Sequence, residues 1–331
     1  MRMRKIQRSD LAEGDKARKV HPQSGRAVGC GCEKSRDQTR PKETNQEKCI
    51  RKAAEQRDAD AGTNKTSNAD NTGMEWKNRI IESDKAQFAE ERGLKMFNLI
   101  GIIGAMEEEV AALKAEMSGV ETREKAGMVF LKGKLCGREV VVVRSGIAKV
   151  NAGICTQILV DDYDVDAVIN TGIAGSLQNT IEIGDIVVST DALQYDVHVE
   201  AFGYAPGQIP RMDTLAFPAD ERLIALAERV CREVNPEIGV HRGRVVSGDC
   251  FVSDRAVKAE LKEVHQGSCA EMEGAAIAQA AYLNQIPYVI LRAISDKADD
   301  SATVDYDTFE KMAIRHCVNL VRGMVSSMSN S

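Results

Sequence analysis

Aromatic side chains are scarce, with one Trp, six Tyr and seven Phe among 331 residues. Bases of single-stranded nucleic acid stack on aromatic rings interleaved with cations. The basic stretch, residues 1–95, has only Trp76 and Phe88 to offer. Its charges are mixed in sign, so a solvated segment fits it better than a binding arm, and no nucleic-acid partner is expected. Long apolar runs are also missing. Nothing approaches the roughly 18 apolar residues that span a membrane, and no membrane association is expected. The basic start MRMRKIQRSD is not followed by the roughly 7–15 apolar residues of a secretory signal. The nine cysteines are scattered. Cys30 and Cys32 form a CxC pair with Cys49 further on, but too few ligands lie nearby to favour a metal site. Cys136, Cys155, Cys231, Cys250, Cys269 and Cys317 sit mostly among apolar neighbours and are expected as reduced core residues. That usage suits a cytoplasmic location. A dinucleotide fingerprint is absent as well. Gly101-Ile-Ile-Gly104 lacks the G-x-G-x-x-G spacing, and no acidic residue closes a second strand about 20 residues on.

What is present divides near residue 95. Residues 1–95 carry about 22 Lys/Arg against 16 Asp/Glu, and the remainder carries about 22 against 34. The first segment is too polar to offset an ordering entropy of roughly 1–2 kcal/mol per residue, so it is expected to be a disordered tail. Gln56–Gly73 is its clearest tract, and Trp76–Leu94 offers only a thin apolar stripe. Met96 directly precedes the first strand expected, so an upstream start read too early is one explanation of the tail.

Residues 96–331 have the pattern of one α/β domain. Asn98–Gly104 is a continuous apolar run, as in a buried strand. Met106–Met117 has helical spacing. Met128–Lys132 and Glu139–Arg144 suggest a hairpin, and Val150–Val160 a helix. Ala167–Asn170 suggests a short strand ending in a Gly-rich turn, Thr171–Gly175. Further strands are expected at Asp185–Tyr195, Arg244–Ser247, Cys269–Met272 and Tyr288–Ile294. Helices are expected at Asp220–Val234, Ala256–Val264, Gly274–Gln285 and from Tyr306 to Met324. This alternation implies a central sheet covered by helices. In such sheets ligands sit beyond the carboxyl ends of strands, and here those ends carry the polar residues.

Three acidic strings stand out. Glu107, Glu108 and Glu109 open a helix, where carboxylates complement the helix dipole by roughly 0.3–1 kcal/mol each. Three in a row also sample most of the circumference, so one can face a cleft. Glu271-Met272-Glu273 precedes another helix. Glu273 is either a favourable N-terminal charge or an acceptor for two vicinal hydroxyls, as on a ribose. Ser295-Asp296 closes an apolar strand. Asp296 either caps a turn or is a carboxyl kept protonated by desolvation.

Taken together, eight strings resemble the bacterial 5′-methylthioadenosine/S-adenosylhomocysteine nucleosidase family of the nucleoside phosphorylase/nucleosidase superfamily. They are IGIIGAMEEEV (Ile100–Val110), SGIAKVNA (Ser145–Ala152), NTGIAGSL (Asn170–Leu177), EIGDIVVS (Glu182–Ser189), AFGYAPGQIP (Ala201–Pro210), VSGDCFV (Val246–Val252), EMEGAAIA (Glu271–Ala278) and RAISDKAD (Arg292–Asp299). They span essentially all of residues 96–331 and none of the tail. The resemblance implies a three-layer α/β/α domain around a central mixed, twisted sheet. It implies hydrolysis of the N-glycosidic bond of methylthioadenosine and adenosylhomocysteine, with no metal and no cofactor. Glu109 would activate the water, and Asp296, supported by Ser295, would protonate N7 of adenine. Glu273 would hold the ribose hydroxyls, with Met272 packing on the sugar and Arg292 near that site. Phe251 would stack on adenine and the Val252 backbone would read its edge. Ala105 and Ile147 would line the pocket. Val199, Phe202 and Pro210 would cover the 5′-alkylthio group of a partner subunit in a homodimer.

Two positions depart from the family pattern. Ile173 stands where Ser or Thr is common, close to the ribose and water, and Ala148 stands where Gly is common. Three rivals share the pattern. A phosphorylase would need cationic or amide donors for phosphate, and Ala105-Met-Glu-Glu-Glu would repel it. A hydrolase of another adenine nucleoside, such as aminodeoxyfutalosine, is not excluded by the pocket residues. A non-catalytic nucleoside-binding protein would lack the acid or the base, and both are here.

Overall fold

A computed structural model describes residues 97–299 and 301–328. The tail expected over residues 1–95, with Cys30, Cys32 and Cys49, lies outside the described residues. The strands are β1 (Ile100–Gly104), β2 (Ser118–Lys125), β3 (Met128–Leu135), β4 (Arg138–Arg144), β5 (Ala167–Ser176), β6 (Ile186–Gln194), β7 (Phe217–Pro218), β8 (Val240–Ser247), β9 (Gly267–Glu271) and β10 (Tyr288–Asp296). The helices are α1 (Glu107–Ala115), α2 (Lys149–Tyr163), α3 (Glu221–Val234), α4 (Arg255–Glu263), α5 (Gly274–Leu283) and α6 (Ala302–Ser327).

The sheet is mixed. Its order is β10-β6-β8-β9-β5-β1-β4-β3-β2, and β10 also pairs with β5. Strands β5, β10, β6, β8 and β9 therefore close on themselves, while β1, β4, β3 and β2 extend from β5 as a wing. Strands β4, β1, β5 and β10 run parallel to their neighbours in this series.

The two-residue period of the strands sorts apolar side chains between two faces. Ile100, Ile102, Val140 and Val142 pack on one face with Val110, Leu113, Leu223, Val230, Leu320 and Val321, which come from α1, α3 and α6. Ile103, Val141 and Val143 pack on the other with Cys155 and Leu159 of α2 and Ala278 and Ala281 of α5. This is the α/β/α layering expected. Asp220 caps α3 by accepting from the N–H groups of Arg222 and Leu223, as short acceptors do at N-caps.

Three expectations need correction. Thr171–Gly175 is not a turn, because β5 continues through it to Ser176, buried throughout. Its glycines are there for close approach rather than for chain reversal. A Cβ at Gly172 would collide with Arg292 Nη1 and Glu109 Oε1, and one at Gly175 would lie 2.7 Å from Asp296 Oδ1. Second, β2 has no counterpart in the sequence reading. All eight of its residues are exposed, so it carries no apolar alternation to betray it. Third, Cys136 and Cys250 are exposed, and only Cys155, Cys231, Cys269 and Cys317 are buried. All six are free thiols.

Candidate active site

The carboxyl ends of β1, β5, β9 and β10 surround a cavity of about 280 Å³. It has a buried floor and an exposed mouth. Glu109, Glu271, Glu273, Ser295 and Asp296 lie at the floor, while Ile147, Phe251 and Asp307 are exposed.

Helix α1 starts directly after β1, and that tight connection turns Glu109 back under the strand end. Its Oε2 accepts from the N–H groups of Ala105 (2.7 Å) and Met106 (3.0 Å), and its Oε1 from that of Ile173 (3.2 Å). Burial pushes its carboxyl above the usual value, and Arg292 only partly opposes this. Of the same triplet, Glu107 and Glu108 are exposed, and Glu107 pairs with Lys114 at 2.8 Å. Ile173 lines the cavity with its side chain and holds Glu109 with its backbone. The departure from a hydroxyl residue therefore leaves the Glu109 tether intact.

Asp296 owes its position to a bulge. The register of β10 on β5 shifts between Ile294 and Asp296, so Ser295 is the extra residue. Neighbours on a regular strand face opposite ways, and a bulge re-aims one of them. Both Ser295 and Asp296 reach the cavity. Asp296 Oδ1 accepts from the N–H of Ala298 (2.8 Å), and Oδ2 from the Ser295 hydroxyl (2.9 Å). These bonds favour the ionised form, yet burial outweighs them and raises the pKa.

Strand β9 delivers Glu271, Met272 and Glu273. Glu273 Oε1 accepts from the N–H of Ala148 (2.8 Å), and its Oε2 lies 3.7 Å from Arg292 Nη2. Its pKa is pushed up by burial first and by Glu271 second. Glu271 itself accepts from the Ser247 hydroxyl, from the N–H groups of Glu273 and Gly274, and from Arg292.

Arg292 lies beside Glu273, with its Nη2 3.7 Å from Glu273 Oε2. It does not line the cavity. It is fully buried behind it, bonded to Asn170 Oδ1 (2.7 Å) and ion-paired with Glu271. Burial disfavours its charge, but Glu271, Glu273 and Glu109 together raise its pKa. It thus anchors the acidic floor from below.

Ala105, Ile147, Phe251 and Met272 line the cavity as expected, and Val252 lines a small adjoining pocket with Phe251, Met272 and Asp296. Val199, Phe202 and Pro210 do not line this chain's cavity, and Phe202 is 81% exposed. Met106, Glu271, Tyr306 and Asp307 also line it, and the sequence assigned none of them a role. Glu271 stood one residue from a named position. Tyr306 and Asp307 lie in the second turn of a helix distant in sequence, α6, and no spacing ties them to the other strings.

Ala148 has more consequence than the sequence suggests. Its φ is +83°, a conformation that costs an L-residue of order 1–3 kcal/mol. The strain persists where its N–H meets Glu273. Ala148→Gly is expected to stabilise the fold by about 1 kcal/mol, since relief of strain exceeds the entropy glycine adds to the unfolded chain. Thermal unfolding measures this, and an unchanged or lower Tm would show the backbone there to be unstrained.

A profile of the phosphorylase superfamily matches residues 99–326. A 5′-methylthioadenosine/S-adenosylhomocysteine nucleosidase of Bacillus thuringiensis subsp. konkukian (strain 97-27) is 43% identical over 223 residues, covering 67% of this chain and 96% of the relative. The crystal structure of the Neisseria meningitidis 5′-methylthioadenosine/S-adenosylhomocysteine nucleosidase, in complex with methylthio-immucillin-A, superposes with a TM-score of 0.67 at 38% identity. It covers 70% of this chain and 99% of that one. Futalosine hydrolase of Helicobacter pylori strain 26695 superposes with a TM-score of 0.66 at 32% identity, covering 70% and 98%. With its mixed sheet, its strand-end carboxylates and these likenesses, the chain belongs to the 5′-methylthioadenosine/S-adenosylhomocysteine nucleosidase family of the phosphorylase superfamily.

Proposed function

We propose that this chain hydrolyses the N-glycosidic bond of 5′-methylthioadenosine and S-adenosylhomocysteine, releasing adenine and the 5-thio-substituted ribose. One observation carries the choice of water over phosphate. Among the described residues, five carboxylates line the cavity (Glu109, Glu271, Glu273, Asp296 and Asp307) and no Lys, Arg or His does. A phosphate dianion would enter without a cationic side chain to receive it.

Neutral adenine is a poor leaving group, so the base must be protonated as the bond breaks. Asp296 gives its proton to N7, and the C1′–N9 electron pair goes to the purine. Positive charge develops on the sugar ring, as in glycoside hydrolysis. Glu109 takes a proton from the water whose oxygen bonds to C1′. The acidic floor stabilises the cationic transition state, an electrostatic contribution set up before the reaction begins. Glu273 accepts from the ribose hydroxyls, and Arg292 holds Glu271 and Glu273 in place. Phe251 and Val252 receive adenine.

The full-length protein incubated with methylthioadenosine is expected to release adenine at the same rate with and without phosphate. Strict dependence on phosphate would make it a phosphorylase. Tight binding without turnover would make it a binding protein. Aminodeoxyfutalosine belongs in the same panel, given the likeness to a futalosine hydrolase.

The working unit of this reading is a homodimer. Val150 (71% exposed), Ile154, Leu283 and Phe202 present apolar side chains to solvent, a pattern that marks interaction surfaces. Val199, Phe202 and Pro210 would then complete the partner's 5′ pocket, and light scattering decides that arrangement. Among the described residues no helix is long and apolar enough to cross a membrane. We place this activity in methionine salvage, in the cytoplasm, as part of the same proposal.

A further inference from the structure

We infer that Asp307 is a charge filter at the cavity mouth, selecting among nucleosides by the charge at the far end of their 5′ substituent. The inference rests on the proposed nucleosidase reading and extends it to substrate choice.

Placing the reacting groups fixes the direction of the substrate. With water at Glu109, ribose hydroxyls at Glu273 and the purine at Asp296, the floor is used up. The 5′ substituent is left with Met106, Ile147, Tyr306 and Asp307, which complete the lining toward the exposed mouth. The first three supply a largely apolar collar. Met106 is half-buried, and the Tyr306 hydroxyl is tied to Glu310 Oε1 at 3.0 Å and to Met106 Sδ at 3.5 Å. Phe251 meets the Tyr306 ring edge-on with centroids 6.0 Å apart. A thioether fits such a collar.

Asp307 is different. It is the one charged side chain of the lining that is exposed, and among the described residues it forms no ion pair or hydrogen bond. The floor carboxylates are committed to backbone N–H groups, to hydroxyls or to Arg292. Asp307 is therefore free to meet whatever projects past the sulfur. A cationic end, such as an ammonium on a short alkylthio chain, gains an attraction there. A carboxylate end meets repulsion from Asp307 and from the acidic cavity behind it. Contacts of this kind at an exposed site change binding by up to about fivefold for each charge.

The test uses three adenosines differing only at the 5′ end: methylthio (neutral), 2-aminoethylthio (cationic) and carboxymethylthio (anionic). The wild-type protein is expected to prefer the cationic to the anionic compound by about tenfold in kcat/KM at low salt. The ratio should shrink as salt screens it. In Asp307→Asn the ratio is expected to fall by about fivefold. Dissociation constants for the same three compounds, from calorimetry with and without Asp307→Asn in a Glu109→Gln background slow enough to leave them intact, provide a second readout that needs no turnover. A ratio that changes by less than about twofold in both readouts overturns the filter. Failure of the wild type to release adenine from any compound would defeat the nucleosidase reading instead, while the dissociation constants still decide the role of Asp307.

Discussion

Replacing Asp296 with Asn is expected to lower kcat by at least about 10²-fold, within the 10²–10⁴ that a positioned general acid contributes. The side chain keeps its shape, so the argument concerns one proton. Asp296 lies 2% exposed at the end of β10, and burial holds its carboxyl above the usual range. Those conditions let a carboxylic acid retain a proton until a base nitrogen takes it. Asn can accept the Ala298 N–H bond with its Oδ1, and its NH₂ can donate to the Ser295 hydroxyl in place of accepting from it, but it has no acidic proton to give. KM should change little, because purine stacking and ribose binding are untouched. The selective loss of kcat separates lost chemistry from lost binding. Near-full activity of the variant, with adenine release followed directly, would remove Asp296 from the mechanism.

How this acid and its partners come together was only partly legible in the sequence. The buried strands β1 and β10 announced themselves as apolar runs, and their polar ends pointed to the cavity. The triplet at Glu107 could not say which member turns inward. The answer depends on the phase with which α1 leaves β1, which only the packed backbone sets. The Ser295 bulge was invisible, because a bulge is a property of pairing between two strands and not of either alone. For the same reason Gly172 and Gly175 looked like turn residues. What demands glycine there is Arg292, Glu109 and Asp296 pressing on the strand from elsewhere in the chain. Arg292 itself is close to the site in sequence, and its place beneath the floor follows from ion pairs formed across strands. Tyr306 and Asp307 belong to the opening turns of α6, a helix whose apolar face announces packing only.

The base offers the second large effect. Glu109→Gln is expected to lower kcat by about 10²–10⁴-fold, because an amide cannot take a proton from water. Three backbone N–H groups point at this carboxylate, from Ala105, Met106 and Ile173. Glutamine can satisfy those facing its oxygen, while its own NH₂ group confronts the rest. An unfolding midpoint must therefore accompany the kinetics, to separate a misplaced helix start from missing chemistry. The pH profile gives a sharper criterion. Glu109 works deprotonated, and burial raises its pKa above the ordinary 4.5. Activity of the wild type should thus fall as pH drops through that raised value, above the usual glutamate range. Stability of the empty protein should run the opposite way. Between the ordinary and the raised pKa the folded state holds protons that the unfolded chain has released, so stability declines as pH rises through that window. Glu273 and Asp296, also raised, add to the same trend. The variant should lose the acidic limb from whatever activity remains. Residual turnover that keeps an unchanged limb would assign the proton transfer to another group.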